Sequence, residues 1–329
     1  DNKASGVSLV GCGNTESHLK TLLSSNKIRC SGGNGITVQA KSNADIVNND
    51  IFSNRLSGID VSDQSLPSCC GNSIYKNKES GVLVHDGGLG SFSENDIYGN
   101  SLAGFAVENG GEPLVENNTI HDGESIGILV SNRGLGHFRK NKVNGHRSAE
   151  VDVETGGNPT LVENVISDGL GNGIYVHDKG RGVFEENEVH KHLLSCVRVQ
   201  DEGSHPLFRK NHVHHGMSCG FFFTDLASAT CEGNDVAENE GTGVEIEAGS
   251  DPIFTHNTVH ENAAKGIVVW KGGAGTVKHN EVYANALTAI LVDGDCPKAV
   301  VDSNTVKESN LHAMARNRTG SQIPVTSSN

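Results

Sequence analysis

Six side chains in the middle of the chain carry reactive groups at spacings close to 23 residues: Asp152, Glu154, Tyr175, His177, Asp178 and Arg198. Their types suit removal of a proton from a carbon beside a carboxylate. His177 is the candidate base, Tyr175 the candidate acid and Arg198 the clamp for the carboxylate. Asp152 and Asp178 complete the catalytic candidates. A binding reading draws instead on Glu154, Arg198, Phe222 and Trp270, because Arg clustered with large aromatics anchors interfaces. Tyr75 and Tyr98 join that binding set. A structural reading competes with both. His85-Asp86 repeats the His177-Asp178 pair upstream beside unreactive Leu83, so His-Asp suits this turn for its own sake.

These groups meet only if the chain stacks them, and it repeats in a way that does so. Asn-x-[Ile/Val] begins at Asn26, Asn49, Asn72, Asn95, Asn118, Asn141, Asn164, Asn187, Asn211, Asn234, Asn257, Asn280 and Asn304. The interval is 23 residues except at Asn187–Asn211 and Asn280–Asn304, where it is 24. Gly-[Ile/Val/Phe]-x-[Val/Ile/Leu/Phe] follows in each unit, as in Gly35-Ile36-Thr37-Val38 and Gly127-Ile128-Leu129-Val130. Alternate apolar residues mean a short strand with one buried face. Pro67, Pro113, Pro159, Pro206 and Pro252 alternate with Gly90, Gly136, Gly182 and Gly275, which makes a paired unit of 46 residues; Ala229 breaks the series. Units of 23 residues are too short for a propeller blade, which needs about 40–45. The fold class is therefore all-β: a single-stranded right-handed parallel β-helix of about 12–13 coils. The repeated Asn is expected at a turn that tolerates the left-handed region, bonded amide to amide between coils. The expected domains are an N-terminal cap at 1–25, the β-helix at 26–314 and a tail at 315–329. Only Glu16–Leu23 has helical spacing.

Coils about 4.8 Å apart turn sequence columns into surface stripes. One column runs Asp152, Tyr175, Arg198, Phe222, and the next runs Glu154, His177, Gln200, Thr224, Glu247, Trp270. A third runs Phe52, Tyr75, Tyr98, His121, and later His190, His214, His260, Tyr283. It is either a binding stripe or a stack of like residues that steadies the sheet. The run His212, His214, His215 puts two imidazoles on one face but specifies no third ligand, so no metal site and no cofactor are assigned.

Composition narrows the partners. The formal charge is −14 and no Lys/Arg cluster occurs, which excludes a phosphate-tracking nucleic-acid binder. No apolar run reaches membrane-spanning length. The eight cysteines form no C-x-x-C pair and read as reduced, mostly buried thiols. A Cys12–Cys30 bridge is the alternative in an oxidising compartment.

Runs such as Glu94-Asn95-Asp96-Ile97-Tyr98-Gly99-Asn100 and Gly173-Ile174-Tyr175-Val176-His177-Asp178 resemble the carbohydrate-binding and sugar-hydrolase (CASH) β-helix of an F-box-only family. The resemblance spans roughly residues 44–308. It implies the substrate-recruiting domain of a ubiquitin ligase and a cytoplasmic or nuclear location. Removal of a signal peptide would instead imply secretion. The same β-helix type occurs in pectin lyases and alginate C5-epimerases, whose Asp-Pro-His signature is not matched here. The expected function is a non-enzymatic recognition or scaffold module that binds a protein or glycan partner through its outer face. The alternatives are a uronan lyase or C5-epimerase at Tyr175/His177/Arg198, and a rigid spacer. The oligomeric state is left open.

Overall fold

The computed structural model describes residues 3–12, 20–307 and 314–316, the last as backbone only. Two compact units divide the chain, Asp1–Val165 and Ile166–Asn329. Each is built from three parallel sheets, and every described element is a strand of three or four residues. One coil of the first unit shows the design: strands Ile59–Val61, Ser68–Cys70 and Ser73–Tyr75. The first strand buries both end residues, and the other two bury only their middle one. Ile59, Val61, Cys69 and Ile74 are consequently all 0% exposed. Burying such a side chain is worth about 1.5–3 kcal/mol, and repetition makes a thin core sufficient.

Coils pair residue for residue. In the first unit Val82 faces Ile59 on one side and Phe105 on the other. In the second unit Val197, Phe221 and Val244 follow one another in the same way. Phenylalanines thicken both cores. Phe105 meets Phe92 edge to face at 5.0 Å, and Phe184 stacks on Phe208 at 4.8 Å.

The Asn column forms the expected ladder. Asn72 Oδ1 accepts from the backbone and side-chain nitrogens of Asn49 at 2.9 and 3.0 Å. Its Nδ2 donates to Asn95 Oδ1 at 2.9 Å and to the Ile46 carbonyl at 2.8 Å. The second unit runs the same ladder through Asn211, Asn234, Asn257, Asn280 and Asn304. One expectation is corrected. The left-handed residue is not the ladder Asn but the one before it: Asn48 has φ 55°, Glu94 55° and Lys140 54°. The turn is made first, and the Asn then aims inward to satisfy the backbone that the turn exposes.

A second ladder escaped the sequence reading. Asn54, Asn77 and Asn100 bond amide to amide at 2.9–3.0 Å, as do Asn239, Asn262 and Asn285. Between them the column alternates Gly123, His146, Gly169, His192, Gly216. Each imidazole needs a neighbour without a side chain: a Cβ on Gly123 would lie 2.5 Å from the His146 ring. The Pro/Gly alternation has the same origin. Gly90 adopts φ 111°, and a Cβ there would lie 2.8 Å from the Pro67 carbonyl oxygen.

The ladders reach into the expected cap region, where Val7–Val10 pairs with Ile36–Gln39 and Thr21–Ser24 with Ala44–Val47. Thr21–Leu23 is thus strand rather than helix, and 16–19 lie outside the described residues. Backbone pairing also joins Met314–Arg316 to Ile290–Val292. All eight cysteines are free; Cys69, Cys196, Cys231 and Cys296 are buried and Cys30 is exposed.

Candidate functional site

The candidate residues fall in both units. In the first, Asp152 lies mid-strand in Val151–Val153 and is only 7% exposed, although it alternates with the core. Glu154 follows at the turn, its backbone N–H donating to the Val130 carbonyl at 3.1 Å. Tyr75 and Tyr98 stack on each other at 4.8 Å, with Phe52 beyond one and His121 beyond the other. Their ring faces are therefore covered, and they offer a ligand only edges and hydroxyls. Burial raises both phenol pKa values, Asp50 adding to it at Tyr75 and Asp96 at Tyr98.

In the second unit the structure brings Tyr175, His177, Arg198 and Phe222 together. Register places Tyr175 beside Arg198 and Arg198 beside Phe222. The Tyr175 and His177 rings stack at 4.2 Å. The Arg198 guanidinium lies 5.4 Å from the Tyr175 centroid and 5.5 Å from that of Phe222, within cation–π range of both. Its Nε is buried and has no hydrogen-bond partner. Tyr175 donates its hydroxyl proton to Gln200 Oε1 at 2.7 Å. Asp178 is the turn residue, with φ 43°.

Arg198 and Phe222 line a groove of about 290 Å³ together with Leu194, Cys219, Glu245 and Lys271. The Cys219 thiol donates to Glu245 Oε2 at 3.1 Å. Burial first, and then the Glu245 charge, push that thiol up to about 12, so it is no nucleophile at neutral pH. Lys271 pairs with Glu247 at 2.7 Å and sits 4.2 Å over the Trp270 ring. Phe222 is half-buried rather than exposed, and Trp270 is joined to the groove through Lys271, not through Phe222. Gln200 and Glu245 stand in the same sequence columns as the candidates. Only side-chain reach, which no column shows, singles them out.

The upstream His-Asp turn is built alike. Asp86 has φ 48°, and His85 holds Asp86 at 2.8 Å and Asp60 at 3.4 Å. The Asp60 hydrogen bond, opposed by burial and helped by Asp86, raises His85 to about 9.

The Right handed beta helix region family matches residues 5–166 and 149–306. The chain belongs to that family. No curated protein matches the chain in sequence. Among solved structures it is similar to the A-modules of two Azotobacter vinelandii mannuronan C-5 epimerases. For AlgE4 the identity is 12%, the TM-score 0.61, and the coverage 89% of this chain and 91% of that one. For AlgE6 the values are 12%, 0.55, 88% and 89%. The Dettilon tailspike protein is 13% identical with TM-score 0.53, over 85% of this chain and 62% of its own. At such identities the likeness is one of fold. None of these comparisons names an F-box receptor, so that resemblance narrows to the β-helix itself.

Proposed function

We propose that this chain is a carbohydrate-recognition module that seats an anionic sugar residue on Arg198. The state of the guanidinium carries the reading. It is held between two rings at a groove, and its Nε is buried without a partner. A sugar carboxylate accepts well from the planar guanidinium fork, and the Phe222 ring suits the apolar face of a pyranose. Trp270, under Lys271, extends the same surface. The fold neighbours supply the first probe: two are named for action on mannuronan. Calorimetric titration with mannuronate oligomers is expected to show binding that Arg198→Gln weakens at least tenfold, the loss of about 1.5–3 kcal/mol that a hydrogen bond to a charged group contributes. Phe222→Ala is expected to weaken it less, and His256→Ala not at all. Equal affinity in Arg198→Gln, or no binding of any polyuronate, refutes the proposal.

An enzymatic reading has its own supporting observation, the Tyr175–His177 stack at 4.2 Å beside Arg198. These are an acid, a base and a carboxylate clamp for a lyase or C5-epimerase. The bond from Tyr175 to Gln200 engages the acid and favours recognition over turnover. Chain cleavage or epimerisation of mannuronan that disappears in His177→Ala would replace recognition with catalysis.

A further inference from the structure

A second cluster of ligand-type side chains lies on the sheet that follows the Asn ladder in the second unit. It involves neither Arg198 nor the groove. Glu188 opens strand Glu188–His190, and the next strand is His212–His214. Register sets Glu188 against His212 and His190 against His214. Alternation puts His212 and His214 on one face, and their rings stack at 4.0 Å. One nitrogen of each imidazole and one carboxylate oxygen of Glu188 all lie within 4.8 Å of one another. His214 Nε2 is 3.3 Å from Glu188 Oε1, close to the edge of a tetrahedron with bonds of about 2.0–2.1 Å.

We infer that Glu188, His212 and His214 bind one divalent transition-metal ion of the zinc class. Two imidazoles and a carboxylate are a donor set that zinc takes, leaving one position for water or a ligand. Calcium, which takes six to eight oxygens, is not served by it. Glu188 and His212 are exposed, so the remaining position faces solvent. Partners outside the triad hold the imidazoles. His214 Nδ1 lies 2.6 Å from His215 Nδ1, His215 Nε2 pairs with Glu238 at 2.7 Å, and His212 Nε2 lies 3.6 Å from the Asp235 carboxylate. Carboxylates behind ligating histidines fix ring orientation in this way. The third ligand was invisible in the His212-His214-His215 run because it sits one strand away.

The test uses the intact chain with Zn2+ in competition against a chromophoric chelator, and with Co2+ as a spectroscopic substitute. One ion per chain is expected, with a Co2+ spectrum of a nitrogen/oxygen site of low coordination number. Glu188→Gln and His212→Ala, both at exposed positions that leave the fold intact, are each expected to weaken Zn2+ binding at least tenfold. His214→Ala is expected to do the same. His256→Ala, in a different stacked pair, should leave it unchanged. Unaltered affinity in Glu188→Gln and His212→Ala overturns the inference. So does a thiolate charge-transfer band, which would place the ion on cysteine, or displacement of Zn2+ by equimolar Ca2+.

Discussion

Two histidines, His192 and His85, tie the stability of this protein to pH in opposite directions. His192 is held to about 4, first by burial and against the Ile166 carbonyl that hydrogen-bonds it. An unfolded histidine takes its proton near 6.5. The unfolded chain therefore binds more protons between those values. The contribution of His192 is fully present above about 6.5 and is lost as pH falls toward 4, on the order of 3 kcal/mol in all. His192→Asn, the residue used elsewhere in that column, is expected to flatten the acid limb of urea midpoint against pH. An unchanged acid limb would remove His192 as its source. His85 acts in the opposite window. Raised to about 9, it stabilises fully below 6.5, and that contribution is lost as pH rises through 9. An NMR titration of its imidazole in wild type and Asp60→Asn should show the raised value and its collapse. His146 and Glu150 form a hydrogen-bonded pair that is 0% exposed on both sides. Glu150→Ala leaves an imidazole buried without its partner and is expected to cost about 3–5 kcal/mol by urea unfolding.

At the scale of the element, strands of three residues are too short to persist alone, and the turns between them use strained backbone. A non-glycine residue in the left-handed region costs about 1–2 kcal/mol, and coils such as those from Asn95 to Asn118 and from Asn118 to Asn141 accept two to four such residues. The two Asn ladders offset that strain by satisfying the turn's inward backbone groups. Asn72→Ala would orphan the Asn49 backbone N–H and strip one bond from Asn49 Nδ2, which keeps the Leu23 carbonyl, and from two acceptors, Ile46 O and Asn95 Oδ1, the latter keeping the backbone N–H at position 72. A loss of about 1–3 kcal/mol is expected, the cost of leaving a buried donor unsatisfied. Asn72→Asp should be worse, because a carboxylate would face those two acceptors. Equal stability of the Asp and Ala variants in thermal melts would mean that the amide donors contribute nothing. Gly90→Ala should also destabilise, since alanine fits neither φ 111° nor the space beside Pro67.

For the whole molecule, a formal charge of −14 on a thin solenoid core makes self-repulsion a global term. Salt screens exposed charges within about 10 Å at 0.1 M. Thermal stability should therefore rise between 10 and 200 mM sodium chloride, roughly by a few degrees. A melting temperature that falls with salt would show that the exposed ion pairs, such as Lys271–Glu247 and Arg139–Glu163, outweigh the repulsion. No described helix is long and apolar enough to cross a membrane.

The period by itself determined most of the architecture, because one chemical requirement recurs every 23 residues and a ladder Asn has few substitutes. It also determined the columns, and so placed Tyr175, Arg198 and Phe222 in succession. The second ladder stayed hidden because its column switches between Asn, Gly and His. Those residues are unlike in type and alike only in the space they share. Tertiary structure alone decided three things. It turned the left-handed residue out of the ladder position. It put Lys271, rather than Phe222, against Trp270. It also carried Glu188 to His212 and His214 across a strand boundary. All three depend on where side chains reach once coils stack, and distance along the chain does not encode reach.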